Sequence, residues 1–203
     1  MSKAVMLSIR PKWCEKIVNG NKTIEVRKTR PKMNTPFKCY IYCTLQGCNE
    51  FFRVDLGRDV AKWNRGKWAD RKGKVVGEFT CDRIDLITHI GYTGTPNLVE
   101  TRICDAATMR TSPVGGLLNA ACLTPKMLND YLAWGDGYGW HISDLRIYDA
   151  PRELSEFRRA CQNSWYCESC AMYRGNNGTC GNESLQIKRA PQSWCYVEEA
   201  GDV

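Results

Sequence analysis

The stretch GNKTIEVRK, residues 20–28, opens on a glycine and then alternates between apolar and polar side chains. Such alternation is typical of a β-strand with one buried face. Glu25 and Arg27 share the polar face. Lys22 stands two positions after the glycine, where a departure from strand geometry would bring its amine to the Glu25 side. The set is either a surface ion pair that contributes under about 1 kcal/mol or a functional site.

The segments around this stretch predict several more strands and two or three helices. Apolar or alternating runs indicate strands at residues 5–9, 37–45, 74–87, 137–149 and 191–199. Apolar stripes at helical spacing indicate helices after Pro11 and Thr124 and a short one at 154–160. No regular alternation of strands and helices is present. We therefore predict an α+β fold, a small and mostly antiparallel β-barrel with flanking helices.

Two stretches lack periodicity. Residues 46–73 are rich in Gly, Arg, Lys and Trp, and residues 88–121 contain several glycines. We interpret both as insertions, the first partly helical, into a barrel that spans residues 1–160. A small Cys-rich insertion then covers residues 161–181, and residues 182–203 supply a terminal strand that completes the barrel.

The overall composition is that of an ordinary globular protein. Of the 203 residues, 43% are hydrophobic and 25% are charged, which suits one domain with an appendage. No run approaches the roughly 18 apolar residues needed to cross a bilayer, and the first residues lack the pattern of a secretory signal. We therefore predict a cytoplasmic protein with no membrane partner.

The positive charge is concentrated near the start of the chain. Residues 1–38 hold ten Lys and Arg side chains and two acids, a balance of +8, while the whole chain carries +7. The other 165 residues therefore carry −1. A concentrated positive potential attracts phosphate, and nucleic acid is its usual partner. A solvated basic face is the alternative.

Twelve cysteines are many for a chain of this size. Four of them follow the pattern C-x5-C-x2-C-x9-C: Cys161, Cys167, Cys170 and Cys180. Four thiolates complete a tetrahedral zinc shell with no open position, so we predict one structural zinc ion. Two local disulfides or four free thiols are the alternatives. Cys39 and Cys43 lie on one face of a predicted strand and are expected to be buried.

The pattern G-x-K-x-x-E-x-R, at Gly20, Lys22, Glu25 and Arg27, resembles the signature of the ASCH domain, a relative of the PUA RNA-binding fold. The preceding LSIRP strand and the later segments KVVGEF, YGWHISDLRIYD and RAPQSWCYVEE are also similar to those of ASCH proteins from bacterial and phage genomes of the Firmicutes type. The resemblance implies that the predicted barrel is a PUA-like β-barrel with a cleft lined by the motif strand. It also implies a role in binding RNA or a modified nucleoside.

The family that this chain resembles also includes enzymes. Some small bacterial members are amidohydrolases that remove the acetyl group from N4-acetylcytidine, and one member is described as a ribonuclease. The resemblance implies that Lys22 matches the catalytic lysine of the amidohydrolases, whereas Glu25 occupies the position of their threonine. For a hydrolase, Lys22 and Glu25 are therefore the candidate catalytic residues, with Glu25 as a general base.

Residue chemistry supplies a candidate ligand-binding set. Arg27 offers a planar donor fork for phosphate or a base edge, and Glu25 can accept from an exocyclic amine such as that of cytosine. Lys28 extends the basic run. The rings of Trp13 and Trp140 can stack on bases, with burial in the core as the alternative for each ring.

Three functions are consistent with these features. The first is a module that binds RNA or a modified nucleotide through Lys22, Glu25, Arg27, Lys28, Trp13 and Trp140. The second is a hydrolase that acts on RNA or on N4-acylated cytidine. The third is a zinc-stabilised interaction protein with no nucleic-acid role. The basic first segment favours the first two, and His141 is expected to be structural.

Overall fold

The computed structural model describes residues 2–45, 70–91, 99–104, 110–133, 135–161, 164–176 and 180–200. Most of the predicted insertion at 46–73 lies outside these ranges. The strands are β1 Lys3–Ile9, β2 Ile24–Arg27, β3 Phe37–Cys43, β4 Val75–Cys81, β5 Ile84–Gly91, β6 Val99–Cys104, β7 Thr111–Pro113, β8 Gly137–His141, β9 Ser143–Arg152 and β10 Trp194–Glu198. The α-helices are α1 Pro11–Val18, α2 Gly115–Ala121, α3 Pro125–Leu132 and α4 Ala171–Arg174.

The chain divides into two compact units. The first contains Met1–Cys14, Lys38–Glu78 and Arg146–Val203, and the second contains Glu15–Phe37 and Phe79–Leu145. The strands form two five-stranded sheets, in the orders β10-β1-β3-β4-β9 and β2-β8-β5-β6-β7. The strand β1 is antiparallel to β10 and parallel to β3. Within the second sheet, β8 pairs antiparallel with β2 and β5, and β6 with β5 and β7.

The first unit has a core of its own around β1 and β3. Side chains on both strands are buried, because one face of β1 packs with Tyr40 against Phe157 and Ile187. The rings of Tyr40 and Phe157 meet edge to face, with centroids 4.9 Å apart. At Gly77 a Cβ atom would lie 2.5 Å from the carbonyl oxygen of Arg146. Only glycine therefore lets β4 approach β9 this closely.

The second unit buries one face of its sheet against two helices. Ile24 and Val26 of β2 pack in one apolar cluster with Ile87 of β5 and with side chains of α2 and α3. The helix α3 begins as predicted, because the Thr124 hydroxyl accepts a hydrogen bond from the Met127 amide at 3.2 Å. The alternation of β2 thus places its apolar residues in a core and its charged residues on the opposite face of the sheet.

Several predicted elements differ from the observed ones. The predicted strand at 74–87 is two strands, β4 and β5, and the one at 137–149 is β8 followed by β9. The non-periodic stretch 88–121 contains the end of β5, all of β6 and β7, and α2. The predicted helix at 154–160 is a single 3-10 turn, Leu154–Glu156. The breaks are only one or two residues long, Ile142 in one case and Asp82-Arg83 in the other, so the sequence pattern joined elements that the fold separates.

The predicted fold class is confirmed. The protein is α+β, its strands are mostly antiparallel, and helices flank the sheets. Strands β1, β2, β3 and β10 and helices α1 and α3 lie where the sequence places them. Among the described residues, no helix has the length and apolar character required to span a membrane.

Candidate functional site

The charged residues of the GNKTIEVRK stretch are buried. The residues Lys22, Glu25 and Arg27 have relative exposures of 3%, 6% and 7%. Charged groups are rarely this inaccessible unless they are paired, because removing an ion from water costs several kcal/mol. The interpretation of this set as a surface ion pair is therefore wrong. We call Lys22, Glu25 and Arg27 the charged triad.

Glu25 lies at the centre of the charged triad. One carboxylate oxygen, Oε2, is 3.2 Å from Nζ of Lys22, and the other, Oε1, is 3.0 Å from Nη2 of Arg27. The Lys22 amine also donates to the carbonyl oxygen of Ala121 at 2.8 Å. That carbonyl is at the last residue of α2, where carbonyl groups lack helical partners and favour a cation. Two cations and one carboxylate leave the triad with a formal charge of +1.

Backbone geometry after α1 explains how Lys22 reaches Glu25. Gly20 has a φ of 73°, a left-handed value that is common at the end of a helix. The Lys22 amide then donates to the carbonyl of Lys16 at 3.0 Å, and the Thr23 amide donates to Ala120 at 2.8 Å. Lys22 therefore precedes the strand rather than continuing its alternation. The predicted departure from strand geometry is confirmed.

The strand β8 lies beside the motif strand. Glu25 is paired with Trp140, and Arg27 with Tyr138; directly opposed residues share one face of a sheet. Trp140 is fully buried and meets Phe37 edge to face at 5.8 Å between ring centroids. The prediction that Trp140 stacks on a ligand base is therefore wrong, because its ring belongs to the core.

Tyr131 is a member of this site that the sequence did not single out. It lies on α3, its hydroxyl hydrogen-bonds to the Lys28 backbone and the Arg27 side chain, and partial burial raises the pKa of Tyr131. The Lys28 amine lies 5.5 Å from the Tyr131 ring centroid, within cation–π range. The residue is nevertheless 40% exposed. In the sequence, Tyr131 fits the pattern of the predicted helix after Thr124, and no sequence signal links it to Arg27.

An exposed basic segment follows the triad directly. Lys28, Arg30 and Lys32 are all exposed, and the Arg30 guanidinium lies 5.8 Å from the Tyr138 ring centroid. Trp13, the other predicted stacking residue, belongs to the first unit. It is half-buried, with the Lys12 amine 4.7 Å from its ring centroid.

A second polar cluster lies elsewhere on the sheet of the second unit. Nε2 of His141 is 2.7 Å from Oδ2 of Asp85, and Nε of Arg83 is 3.1 Å from Oδ1 of the same carboxylate. Asp85 is paired with Gly139, whereas its neighbour Ile84 is paired with Trp140. This cluster therefore lies on the face opposite Glu25. His141 and Arg83 both contact the buried Asp85 carboxylate, as expected for a histidine with a structural role.

The described part of the Cys-rich segment contains the 3-10 helix Ser164–Ser169 and the single turn of α4, and a second 3-10 helix, Glu183–Leu185, follows it. Its four cysteines are half-buried, and none of the eleven described cysteines of the chain forms a disulfide. No three Cys, His, Asp or Glu side chains in the described ranges are gathered closely enough to hold a metal ion. Cys39 and Cys43 are buried as predicted, and Cys48 lies outside the described residues.

Comparison with known protein families gives a match in the part of the chain that contains the GNKTIEVRK stretch. The family model of the ASCH domain matches residues 7–51, which contain the charged triad and the exposed basic segment. The predicted resemblance to this family is confirmed over that segment. No curated protein sequence matches the chain.

Among solved structures, two of the crystal structures that are similar to this chain are of an ASCH protein from Zymomonas mobilis. A crystal structure of ASCH from that organism is 14% identical, with a TM-score of 0.48, over 97% of this chain and 88% of that chain. A mutant form of the same protein gives 14% identity and a TM-score of 0.48 over 97% and 89%.

Proposed function

We propose that this protein binds single-stranded RNA or a nucleotide at the charged triad and the exposed basic segment of residues 28–32. The observation that carries the proposal is the juxtaposition of three buried charges with exposed cations and a partly exposed tyrosine. A protein that needed these charges for folding alone would gain as much from apolar residues of similar volume. The ASCH resemblance supports the same assignment.

The two parts of this site suit two parts of a nucleotide. Lys28 and Arg30 reach solvent, so phosphate oxygens are their natural ligands. The triad carries a formal charge of +1 behind them, which adds to the attraction for an anion. Glu25 uses both oxygens on cations, yet a carboxylate has about four acceptor positions. It retains the capacity to accept from an exocyclic amine such as that of cytosine.

Tyr131 takes the stacking role in this proposal. Its hydroxyl end is fixed against Arg27 and Lys28, and the residue as a whole remains 40% exposed. A ring held at one end loses little rotational freedom when a base stacks on it. Bases stack on such rings without a strong sequence preference, which suits a site that binds nucleotides whatever the base sequence.

Binding of a labelled, unstructured RNA to the wild type and to Lys28→Ala tests the proposal. We expect Lys28→Ala to weaken binding clearly. The matched control is Lys126→Ala, because Lys126 is also exposed and belongs to the same unit but pairs with Asp130 at 2.6 Å. Equal weakening by both variants would point to nonspecific attraction. No binding by the wild type would overturn the proposal and favour an interaction protein without a nucleic-acid role.

The 3.2 Å contact between Lys22 and Glu25 favours a second candidate, a hydrolase acting on RNA or on N4-acylated cytidine. An amine and a carboxylate in contact can share a proton, as acid–base catalysis requires. Incubation with N4-acetylcytidine and with unstructured RNA tests both substrates. Activity that is lost in both Lys22→Met and Glu25→Gln supports this candidate. If activity survives in both variants, the catalytic residues lie elsewhere in the protein.

A further inference from the structure

The Cys-rich segment lacks a core of its own. Phe157 and Ile187 are fully buried, but none of the described side chains between them is. Its helical pieces are at most six residues long, and isolated helices shorter than about 12 residues are marginal in water. A segment of this kind needs a cross-link to hold one conformation.

Backbone hydrogen bonds bring the cysteine positions toward one another. The Cys170 amide donates to the carbonyl of Cys167 at 2.9 Å, which closes the turn before α4. The Gly181 amide donates back to the carbonyl of Met172 in α4 at 3.2 Å. Cys180, the neighbour of Gly181, is therefore returned to the helix that follows Cys170.

The thiols also share one electrostatic environment. The Cys167 thiol lies within electrostatic reach of Cys161, Cys170 and Cys180. A divalent cation can draw such thiols together, because it binds four thiolates in one tetrahedral shell. All four side chains are only half-buried, so rotation about their χ1 bonds is not blocked by core packing.

We propose that Cys161, Cys167, Cys170 and Cys180 together bind one Zn²⁺ ion that orders residues 161–181. Each thiol releases its proton on binding, so four thiolates and Zn²⁺ carry a net charge of −2. The shell has no open position for water or substrate, which makes the ion structural. Binding draws the thiols inward from their present separation and fixes the two turns on either side of α4.

Metal analysis of the full chain, purified without chelator, is the direct test. We expect about one equivalent of zinc per chain. Replacement by Co²⁺ should give the sulfur-to-cobalt charge-transfer and tetrahedral ligand-field bands of a four-thiolate site. Zinc should be lost in Cys167→Ser and in Cys180→Ser. It should be retained in Cys122→Ser, a matched control because Cys122 is also half-buried and lies in the second unit.

Amide hydrogen exchange provides a second readout that does not depend on a variant that folds poorly. Removal of zinc from the wild type by a chelator should speed exchange in residues 164–176 and leave β2 protected. Protein without zinc whose four thiols all react with a thiol reagent would overturn the proposal. So would disulfides joining these cysteines in the mass spectrum, or zinc retained in both Cys167→Ser and Cys180→Ser.

Discussion

At the scale of single residues, burial gives Glu25 its importance. It is the only anion of the charged triad, and both of its oxygens contact cations within 3.2 Å. Glu25→Gln keeps the shape of the side chain and removes the negative charge that both Lys22 and Arg27 contact. Breaking a buried pair in this way typically costs about 3–5 kcal/mol. We expect urea unfolding to show a loss of stability of that size.

The exposed pair Lys126–Asp130 is the control for this measurement. Its two side chains are 83% and 64% exposed, so Asp130→Asn should cost less than about 1 kcal/mol. If the two substitutions destabilise the protein equally, burial of the triad does not make its pairing stronger. In that case the ion pairs of Glu25 contribute no more than surface contacts.

The role proposed for Tyr131 gives a second residue-scale prediction. Tyr131→Ala removes the ring, and loss of one base–aromatic stack typically costs about 1–3 kcal/mol of binding energy. Tyr131→Phe keeps the ring and removes only the hydroxyl that contacts Arg27, so it should bind RNA more tightly than the alanine variant. Dissociation constants for a short RNA measure the difference. Equal affinities for wild type and Tyr131→Ala would refute the stacking role and leave the phosphate contacts untouched.

At the scale of elements, the end of β4 carries a pH-sensitive group. Cys81 is fully buried, and burial raises its pKa to about 12 from an ordinary value of 9.0. Below pH 9 the thiol is protonated in both the folded and the unfolded chain, and it has no effect on the pH dependence of stability. Between pH 9 and 12 the unfolded chain releases this proton first, so stability falls as pH rises, by at most about 1.4 kcal/mol per pH unit.

Comparison with Cys81→Ala isolates this effect. The variant lacks the thiol, so the difference in unfolding free energy between wild type and variant should shrink steadily above pH 9. Below that pH the difference should be constant. A difference that stays constant to pH 11 would mean that Cys81 ionises equally well in the folded protein.

Elements also differ in how far the sequence determines them. The strand β2 was predictable because its alternation matches one buried apolar face, and the same argument placed Glu25 and Arg27 together. The burial of those charges was not predictable. It depends on α2, which supplies the Ala121 carbonyl, and on α3, which supplies Tyr131. Ala121 is 99 residues from Lys22 in the sequence and Tyr131 lies further still, and local periodicity contains no information on such contacts.

The strands after β4 show the opposite case. The stretch 88–121 has no clear periodicity, yet β6 pairs with β5 over six residues and pairs with β7 on its other side. Sheet pairing supplies the hydrogen bonds that hold these strands, and it overrides weak local preference. Local periodicity therefore did not show that this stretch adds two strands to the sheet.

At the scale of the whole molecule, the distribution of charge determines how binding responds to salt. Residues 1–38 carry a balance of +8, and the rest of the chain carries −1. Each phosphate contact made by a cation releases a condensed counterion, which contributes about 0.7 to the slope of log affinity against log salt for single strands. We expect RNA binding to weaken steadily as salt rises, with a slope set mainly by the exposed basic segment.

The double variant Lys28→Ala/Arg30→Ala tests this expectation. If both cations contact phosphate, the slope should fall by about 1.4, because each contact contributes about 0.7. Lys126→Ala changes the net charge but should leave the slope nearly unaltered, since its side chain lies on α3 and pairs with Asp130. Titrations at several salt concentrations with one RNA measure all three slopes. Equal reductions per charge removed in both variants would show that the RNA responds to net charge alone, and the basic segment would then have no special role.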